Sequence, residues 1–269
     1  MTWFVTGSSR GMGRAWVEAA LDRGDRVVAT SRNVDDLREL VETFPDSLHL
    51  RQLDVTDRTA VLHEMSEASS RFGRLDFVVN NAATGHDGVV EDISEDDARS
   101  GMETSFFGAL WVTQAAVRVM RPQNTGRIVQ ISTQGGQMAH AGLGIYHASK
   151  WALEGLTEAL HHELVGTGVR TIIVEPGAAL TEWFTRSLTR SRPNPAYDAV
   201  MATRFDLDPS LMPPARAIVD AALRAVTAAD PPARILLTAQ AFENVTETVR
   251  QRLAEWEEWE DLARSVSVG

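Results

Sequence analysis

Short apolar runs alternate with amphipathic stretches along the chain from its first residues. The apolar runs are rich in Val, Ile and Leu and lie at 3–6, 26–30, 48–53, 75–79, 127–131, 170–175 and 234–237. Stretches with helical spacing of apolar residues lie between them, at about 12–23, 34–43, 57–72, 95–121, 145–166 and 215–228. This alternation implies βαβ units, and continuously apolar strands imply a parallel sheet that helices cover on both faces.

We therefore predict an α/β fold: a single Rossmann-like, doubly wound domain over 1–269, with a mostly parallel seven-stranded sheet and helices on both faces. No linker, repeat or low-complexity tract divides the chain. The segment 177–214 has several prolines and aromatic residues but no clear strand, and a long irregular segment after a strand predicts a substrate lid. A helical tail is predicted at about 241–264.

The composition narrows the function classes. Of 269 residues, 43% are hydrophobic and 23% charged, as in an ordinary globular protein. The absence of cysteine excludes disulfides and thiolate chemistry, and no histidine and carboxylate cluster has metal-ligand spacing. The net charge of −11 argues against a nucleic acid partner. We see no signal peptide and no apolar run long enough to span a membrane, so we expect a cytoplasmic protein without a membrane partner.

The basic residues point to a candidate catalytic pair. The chain has 26 of them, and only Lys150 is lysine. It follows Tyr146, one of two tyrosines, by four positions, so on a helix the ammonium and the phenol would share a face. The ammonium would favour the phenolate and lower the pKa of Tyr146, which would make it a general acid or base near neutral pH. The alternative is a surface tyrosine beside a solvated lysine.

A glycine cluster follows the first predicted strand. Residues 6–13 read TGSSRGMG and lead from that strand into a predicted helix. Glycine permits the dihedrals of a tight turn and lets a pyrophosphate approach the backbone at the helix N-terminus. Because the G-x-x-x-G-x-G spacing lies between a strand and a helix, it favours nucleotide binding over a plain turn.

The end of the second predicted strand indicates which nucleotide binds. An NAD site has an acid there that binds the ribose 2′-hydroxyl. This strand instead ends at Arg32, and Asp35 and Asp36 come slightly too late, in what reads as the first turn of a helix. Arg32 and Arg10 could clamp a 2′-phosphate, so the sequence favours NADP(H) over NAD(H).

Five motifs in order, over about residues 2–240, resemble those of the short-chain dehydrogenase/reductase family. They are the glycine loop, the adenine-contacting LDV at 53–55, the NNAA at 80–83, the tyrosine-lysine pair, and PG-x-x-x-T at 176–181, which lies beside the nicotinamide. By this resemblance the cofactor-binding residues are Gly7, Ser9, Arg10, Gly11, Met12, Gly13, Arg32, Asp54, Val55, Asn81, Ala82, Tyr146, Lys150, Pro176, Gly177 and Thr181.

The resemblance also implies catalytic roles. Tyr146 would exchange a proton with the substrate oxygen, while Lys150 would bind the nicotinamide ribose and depress the pKa of the tyrosine. Thr133 stands where the family has its catalytic serine; it keeps the hydroxyl on a stiffer side chain. Ser105 stands where the family has an asparagine that holds a water of the proton relay, and a hydroxyl offers one donor where an amide has two. We predict both as catalytic residues.

The predicted function is an NADP(H)-dependent oxidoreductase that interconverts a secondary alcohol and a ketone or aldehyde on a small, fairly apolar substrate. Ser105 and Thr133 leave open an epimerase or dehydratase with self-restoring chemistry, and a non-catalytic NADP-binding sensor is a further alternative. By the resemblance, a homodimer or homotetramer would form through the helices at 95–121 and 145–166. His147 is expected to face away from the tyrosine. The candidate substrate contacts are His86, Met138, Leu143 and Trp183.

Overall fold

The predicted strands form one parallel sheet. The computed structural model describes residues 1–203 and 212–266. Its strands are β1 (Thr2–Thr6), β2 (Arg26–Ser31), β3 (Leu48–Gln52), β4 (Phe77–Asn80), β5 (Gly85–Asp87), β6 (Gly126–Ile131), β7 (Val169–Pro176), β8 (Leu188–Arg190) and β9 (Arg234–Leu237). Seven of them pair in parallel in the order β3-β2-β1-β4-β6-β7-β9. The order reverses between β1 and β4, which opens a crevice beyond their carboxyl ends.

Helices connect the strands as the apolar spacing predicts. They are α1 (Gly11–Asp22), α2 (Arg38–Thr43), α3 (Arg58–Phe72), α4 (Glu95–Met102), α5 (Gly108–Gln123), α6 (Gly144–Glu163), α7 (Trp183–Arg186), α8 (Asp198–Thr203), α9 (Ala215–Val226), α10 (Ala239–Glu258) and α11 (Glu260–Ser265). The predicted helix at 95–121 is α4 and α5 joined by the π-helical segment Glu103–Phe107. The predicted tail is α10 and α11. Within 1–203 and 212–266, no helix has both the length and the apolar content to cross a bilayer.

The side chains of the buried strands point alternately to the two faces of the sheet and form a hydrophobic core on each face. All five residues of β1 are buried; Trp3 and Val5 belong to the core with α1 and α9, whereas Phe4 belongs to the opposite core with α3 and α5. Successive side chains of a strand point to opposite faces, so a strand with no polar alternation needs helices on both sides. The doubly wound α/β fold is confirmed.

A small two-stranded sheet, which the sequence did not reveal, joins the predicted lid to the rest of the domain. Strands β5 and β8 pair in parallel, with Gly85 opposite Leu188 and Asp87 opposite Arg190. The predicted lid at 177–214 is thus attached to the segment that follows β4. Residues 204–211 of that lid lie outside the described residues.

Candidate active site

The glycine loop lies at the crevice between β1 and β4. Gly7 and Gly11 have φ angles of 62° and 55°, which L-residues with side chains rarely adopt. A Cβ at Gly13 would lie 2.2 Å from the Gly7 carbonyl oxygen, so the start of α1 can pack against the loop only without a side chain there. No acidic residue occupies the first turn of α1. Its free N–H groups therefore provide a site for a phosphate.

One hydroxyl ties this loop to the neighbouring strand. Thr6 Oγ1 accepts hydrogen bonds from the backbone N–H of Asn81 at 3.0 Å and of Ala82 at 3.1 Å, and donates to the Val79 carbonyl at 3.2 Å. The Asn81 side chain in turn donates to the carbonyls of Thr6 and Gly7, both at 3.0 Å. The NNAA segment thereby fixes the shape of the glycine loop.

The far end of the cavity carries both basic and acidic side chains. Arg32 is exposed there and has no partner among the described residues. Arg10 lies nearby, but its Nη2 donates to the Arg186 carbonyl at 3.3 Å and to Ser187 Oγ at 3.0 Å, so it already binds the lid. Asp36, set aside in the sequence as too late, also lines the cavity because a 3-10 turn over Asp35–Leu37 follows the strand.

The opposite end brings together Tyr146, Lys150 and Thr133. The first two lie on one face of α6, and Thr133 follows β6. Lys150 is 3% exposed; its Nζ donates to the Ile131 carbonyl at 2.8 Å and lies 5.8 Å from the centre of the Tyr146 ring. Thr133 Oγ1 donates to the Pro176 carbonyl at 3.1 Å.

Burial controls the ionisation of this pair. Removal from water lowers the pKa of Lys150 to about 8, against an upward contribution from the charge of Glu154. Burial raises the pKa of Tyr146 above its ordinary value, the opposite of the direction expected from the sequence. Desolvation thus outweighs the ammonium 5.8 Å from the ring centre, and the phenol is neutral at pH 7.

Ser105 holds a backbone segment. Its hydroxyl accepts from the Thr84 N–H at 3.1 Å and donates to the Thr84 carbonyl at 2.8 Å, and Ser105 is 1% exposed. It lies within the π-helical segment, a feature that often occurs at functional sites. No described contact joins it to Lys150. The structure therefore brings together three of the four predicted catalytic residues and places Ser105 behind the cavity wall.

The substrate end differs from the sequence expectation. Leu143 and Trp183 line it, with the Trp183 ring 4.7 Å from that of Tyr146. His147, expected to face away, also lines it; its Nδ1 accepts the His140 N–H at 3.2 Å, and burial lowers the pKa of His147 to about 4. Uncharged polar side chains share this wall, which a fairly apolar substrate would not require. They belong to Gln134, Gln240 and Asn244.

Two of the four substrate candidates lie elsewhere. His86 is 1% exposed in β5 and bonds lid residues, with Nδ1 2.7 Å from Thr189 Oγ1 and Nε2 2.8 Å from Ser191 Oγ. The sulfur of Met138 lies 4.0 Å from the Thr248 hydroxyl. Neither is among the described lining residues, so their positions give no support to substrate contact.

A single cavity of about 940 Å³ connects the two ends. Of the predicted cofactor residues, Gly13 alone is not among the described lining residues, because it packs under the loop. Those that line the cavity are Gly7, Ser9, Arg10, Gly11, Met12, Arg32, Asp54, Val55, Asn81, Ala82, Tyr146, Lys150, Pro176, Gly177 and Thr181.

Comparison with known proteins identifies the family to which the chain belongs. A family model described as short chain dehydrogenase matches residues 2–191. The chain belongs to the short-chain dehydrogenase/reductase family. It is therefore an oxidoreductase of the NAD(P)-dependent type.

Relatives match over most of the chain. Oxidoreductase BOA17 of Botryotinia fuckeliana is 33% identical over 97% of both chains. The NADPH-dependent 3-dehydrocapnine reductase of Ornithobacterium rhinotracheale is 30% identical over 70% of this chain and 69% of its own. The crystal structure of a short-chain dehydrogenase from Streptomyces avermitilis is 35% identical, covers 99% of both chains and superposes with a TM-score of 0.93.

The Thr6 hydroxyl generates a stability prediction. Thr6→Val keeps the shape but leaves the N–H groups of Asn81 and Ala82 without their acceptor. We expect a loss of about 1–3 kcal/mol in the free energy of unfolding, measured by urea denaturation, together with weaker binding of a nicotinamide cofactor. Thr6→Ser retains the hydroxyl and is the matched control. Equal stability of the Val and Ser variants would show that this hydroxyl does not hold the loop.

Proposed function

We propose that the protein is an NADP(H)-dependent oxidoreductase that interconverts a secondary alcohol and a ketone or aldehyde. The observation that carries this proposal is the meeting of Tyr146, Lys150 and Thr133 at one end of a cavity whose other end is the glycine loop. A nicotinamide cofactor supplies or accepts the hydride when bound, and the protein supplies the proton, the orientation and the charge.

The residues present fit such a cofactor. A Cβ at Gly7 would lie 2.7 Å from the Ala82 Cα, so there is no room for a side chain at this position. Gly7 therefore lines the cavity with its backbone alone. The N-terminus of α1 would hold the pyrophosphate. Asp54 and Val55 line the region where an adenine would lie, and Pro176 and Gly177 line the wall beside Thr133.

The protonation state of Tyr146 suits a proton donor in carbonyl reduction. Because burial keeps the Tyr146 phenol protonated at neutral pH, it can donate a proton to the oxygen of a carbonyl substrate. The ammonium of Lys150 then stabilises the phenolate that remains. The Thr133 hydroxyl stands beside this pair and can rotate from the Pro176 carbonyl to orient the substrate oxygen.

The cofactor preference rests on Arg32. Its unpartnered guanidinium is available to a 2′-phosphate, whereas Arg10 is bound to the lid. The relative from Ornithobacterium rhinotracheale, NADPH-dependent by name, supports the same preference. Asp36 lines the same end and would repel a phosphate, so the discrimination depends on the arginine.

Self-association through α5 and α6 is part of the proposal. On α6, Trp151 is 44% exposed, with the Arg252 guanidinium of α10 over its ring at 4.9 Å. A homodimer or homotetramer would cover this side chain. Sedimentation of the purified protein measures this directly.

Replacement of Arg32 tests the nucleotide. Arg32→Asp removes a charge-assisted contact to the 2′-phosphate that is worth about 1.5–3 kcal/mol and adds a second carboxylate beside Asp36. We expect the Kd for NADPH to rise by on the order of 10- to 100-fold while the Kd for NADH changes little. Arg10→Asp is the comparison, with a smaller effect expected because Arg10 binds the lid. Equal affinity of the parent protein for NADPH and NADH would contradict the preference.

Removal of the phenol hydroxyl tests the proton donor. In Tyr146→Phe only the transferable proton is lost, so turnover of a ketone panel should fall by about 10²- to 10⁴-fold with cofactor Kd nearly unchanged. Steady-state kinetics and fluorescence titration measure the two quantities. A variant that keeps most of its kcat would mean that the proton comes from another group.

Replacement of Lys150 by arginine tests whether this position requires an ammonium. Lys150→Arg keeps the charge, but the wider guanidinium cannot occupy the buried space between the Ile131 carbonyl and the Tyr146 ring. We expect weaker cofactor binding and a large loss of kcat with the fold retained. Arg250→Lys, at an exposed arginine whose ion pair within the described residues is with Glu247, is the control and should be nearly silent. Indistinguishable behaviour of the two variants would remove Lys150 from the mechanism.

A further inference from the structure

A buried pair of carboxyl groups lies behind Thr133 and Lys150, outside the described cavity wall. Glu154 is one turn after Lys150 on α6, and Glu175 immediately precedes Pro176 on β7. The two residues are 4% and 0% exposed. Two acids this far from water require specific partners, because burial of an isolated carboxylate is strongly unfavourable.

Two donors bridge the carboxyl groups. Gln137 Nε2 lies 2.7 Å from Glu154 Oε2 and 2.9 Å from Glu175 Oε1. Arg234 Nη1 contacts the same two oxygens, at 2.9 and 3.2 Å. Glu154 Oε2 and Glu175 Oε1 therefore share both of these donors, which holds the two carboxyl groups close together.

The surrounding charges do not compensate two carboxylates. Arg234 is shared with the exposed Glu158, which it contacts at 3.5 Å, and Lys150 bonds the Ile131 carbonyl. Arg252, on α10, contacts only the Gln137 carbonyl in this cluster. Glu175 Oε2 has no partner among the described residues, a position that an ionised carboxylate would not tolerate.

The ionisation of Glu175 agrees with this geometry. Burial, and then the neighbouring Glu154 carboxylate, raise the pKa of Glu175 to about 8. Like charges at close range repel each other strongly in a buried site, so ionisation of the second carboxyl group is unfavourable.

The pair is linked to the catalytic residues on both sides. Ser132 donates to Glu154 Oε1 at 2.5 Å, and Ser132 immediately precedes Thr133. Glu175 immediately precedes Pro176, whose carbonyl accepts the Thr133 hydroxyl at 3.1 Å. The position of Thr133 therefore depends on two segments that meet at this carboxyl pair. The negative charge of Glu154 also acts on Lys150.

We propose that Glu154 and Glu175 share one proton and act as positioning residues: the singly protonated pair holds Thr133 in place and limits the negative charge near Lys150 to one unit. This inference rests on the proposed function for its effect on rate, but not for the shared proton itself. Loss of that proton would place two carboxylates side by side, separate the segments that hold Thr133, and reduce turnover on the alkaline side.

The shared proton is tested by the pH dependence of stability. A carboxyl group whose pKa is higher in the folded state stabilises the fold at low pH and ceases to do so as pH rises towards the folded pKa. His147, whose pKa is lowered, contributes to the pH dependence of stability below about pH 6.5, and Lys150 contributes to it above about pH 8. Between pH 6.5 and 8 the unfolding equilibrium constant of the parent should rise by up to about tenfold per pH unit. Glu175→Gln, neutral at every pH, should remove this rise.

Glu158→Gln is the matched control, because Glu158 contacts the same arginine from an exposed position and should leave the pH dependence unchanged. If Glu175→Gln shows the same pH dependence as the parent, the proton is not shared and the proposal fails. Should the variant not fold, the infrared carbonyl band of a protonated carboxyl group in the parent, present at pH 7 and absent at pH 9, decides the point. Its absence at pH 7 would also overturn the proposal.

The positioning role needs a separate readout. The kcat of Glu175→Gln should match the parent at pH 7 but fall less steeply with pH around 8, because only the ionisation of Lys150 remains in that range. A profile identical in shape to that of the parent would leave the pair a purely structural role. If no carbonyl compound is turned over by any form, the proposed function fails, whereas the stability titration still judges the pair.

Discussion

The hydroxyl of Thr6 is the contact on which the geometry of the site depends. The strand order reverses between β1 and β4, so the connections leave these two strands towards opposite faces of the sheet and a crevice opens between them. Thr6 accepts the N–H groups of Asn81 and Ala82, and Asn81 bonds back to the Gly7 carbonyl. These contacts fix the distance between the glycine loop and the segment after β4. The turn at Gly7 has a positive φ, and the start of α1 packs on the loop without a side chain at Gly13, so the shape of the glycine loop depends on the Thr6 side chain.

Features whose contacts lie close together in the sequence could be predicted, whereas features that join distant segments could not. Tyr146 and Lys150 could be paired from the sequence because their relation lies within one helix, and the seven strands because buried parallel strands are continuously apolar. The place of Asp36 in the cavity wall could not be predicted, because a short 3-10 turn, which has no strong sequence signal, brings it there. The pairing of β5 with β8 joins three-residue segments about a hundred positions apart, too short for any pattern to predict.

The surroundings of two further residues could not be predicted, for a different reason. His147 was assigned by helical position alone, which gives its angle from Tyr146 but not the course of the loop that curves over α6 and brings Gly135 and His140 beside it. Ser105 was assigned by its place in a motif, which does not show that its hydroxyl bonds the backbone N–H and carbonyl of Thr84. A motif specifies a position along the chain, whereas the reach of the side chain at that position determines what it contacts.

The packing of α6 explains why the single lysine of the chain, Lys150, is not an arginine. The ammonium is enclosed by the Ile131 carbonyl, the Tyr146 ring and the turn that leads to Glu154, and it is 3% exposed. A guanidinium keeps its charge in any environment and needs planar space for five donors; an ammonium is compact, and its pKa responds to burial. At this position the pKa of Lys150 falls to about 8, so its charge depends on the groups around it. The site thus places a phenol that burial keeps protonated beside an ammonium whose pKa burial lowers. An arginine at position 150 would supply the positive charge but not a pKa that responds to its surroundings.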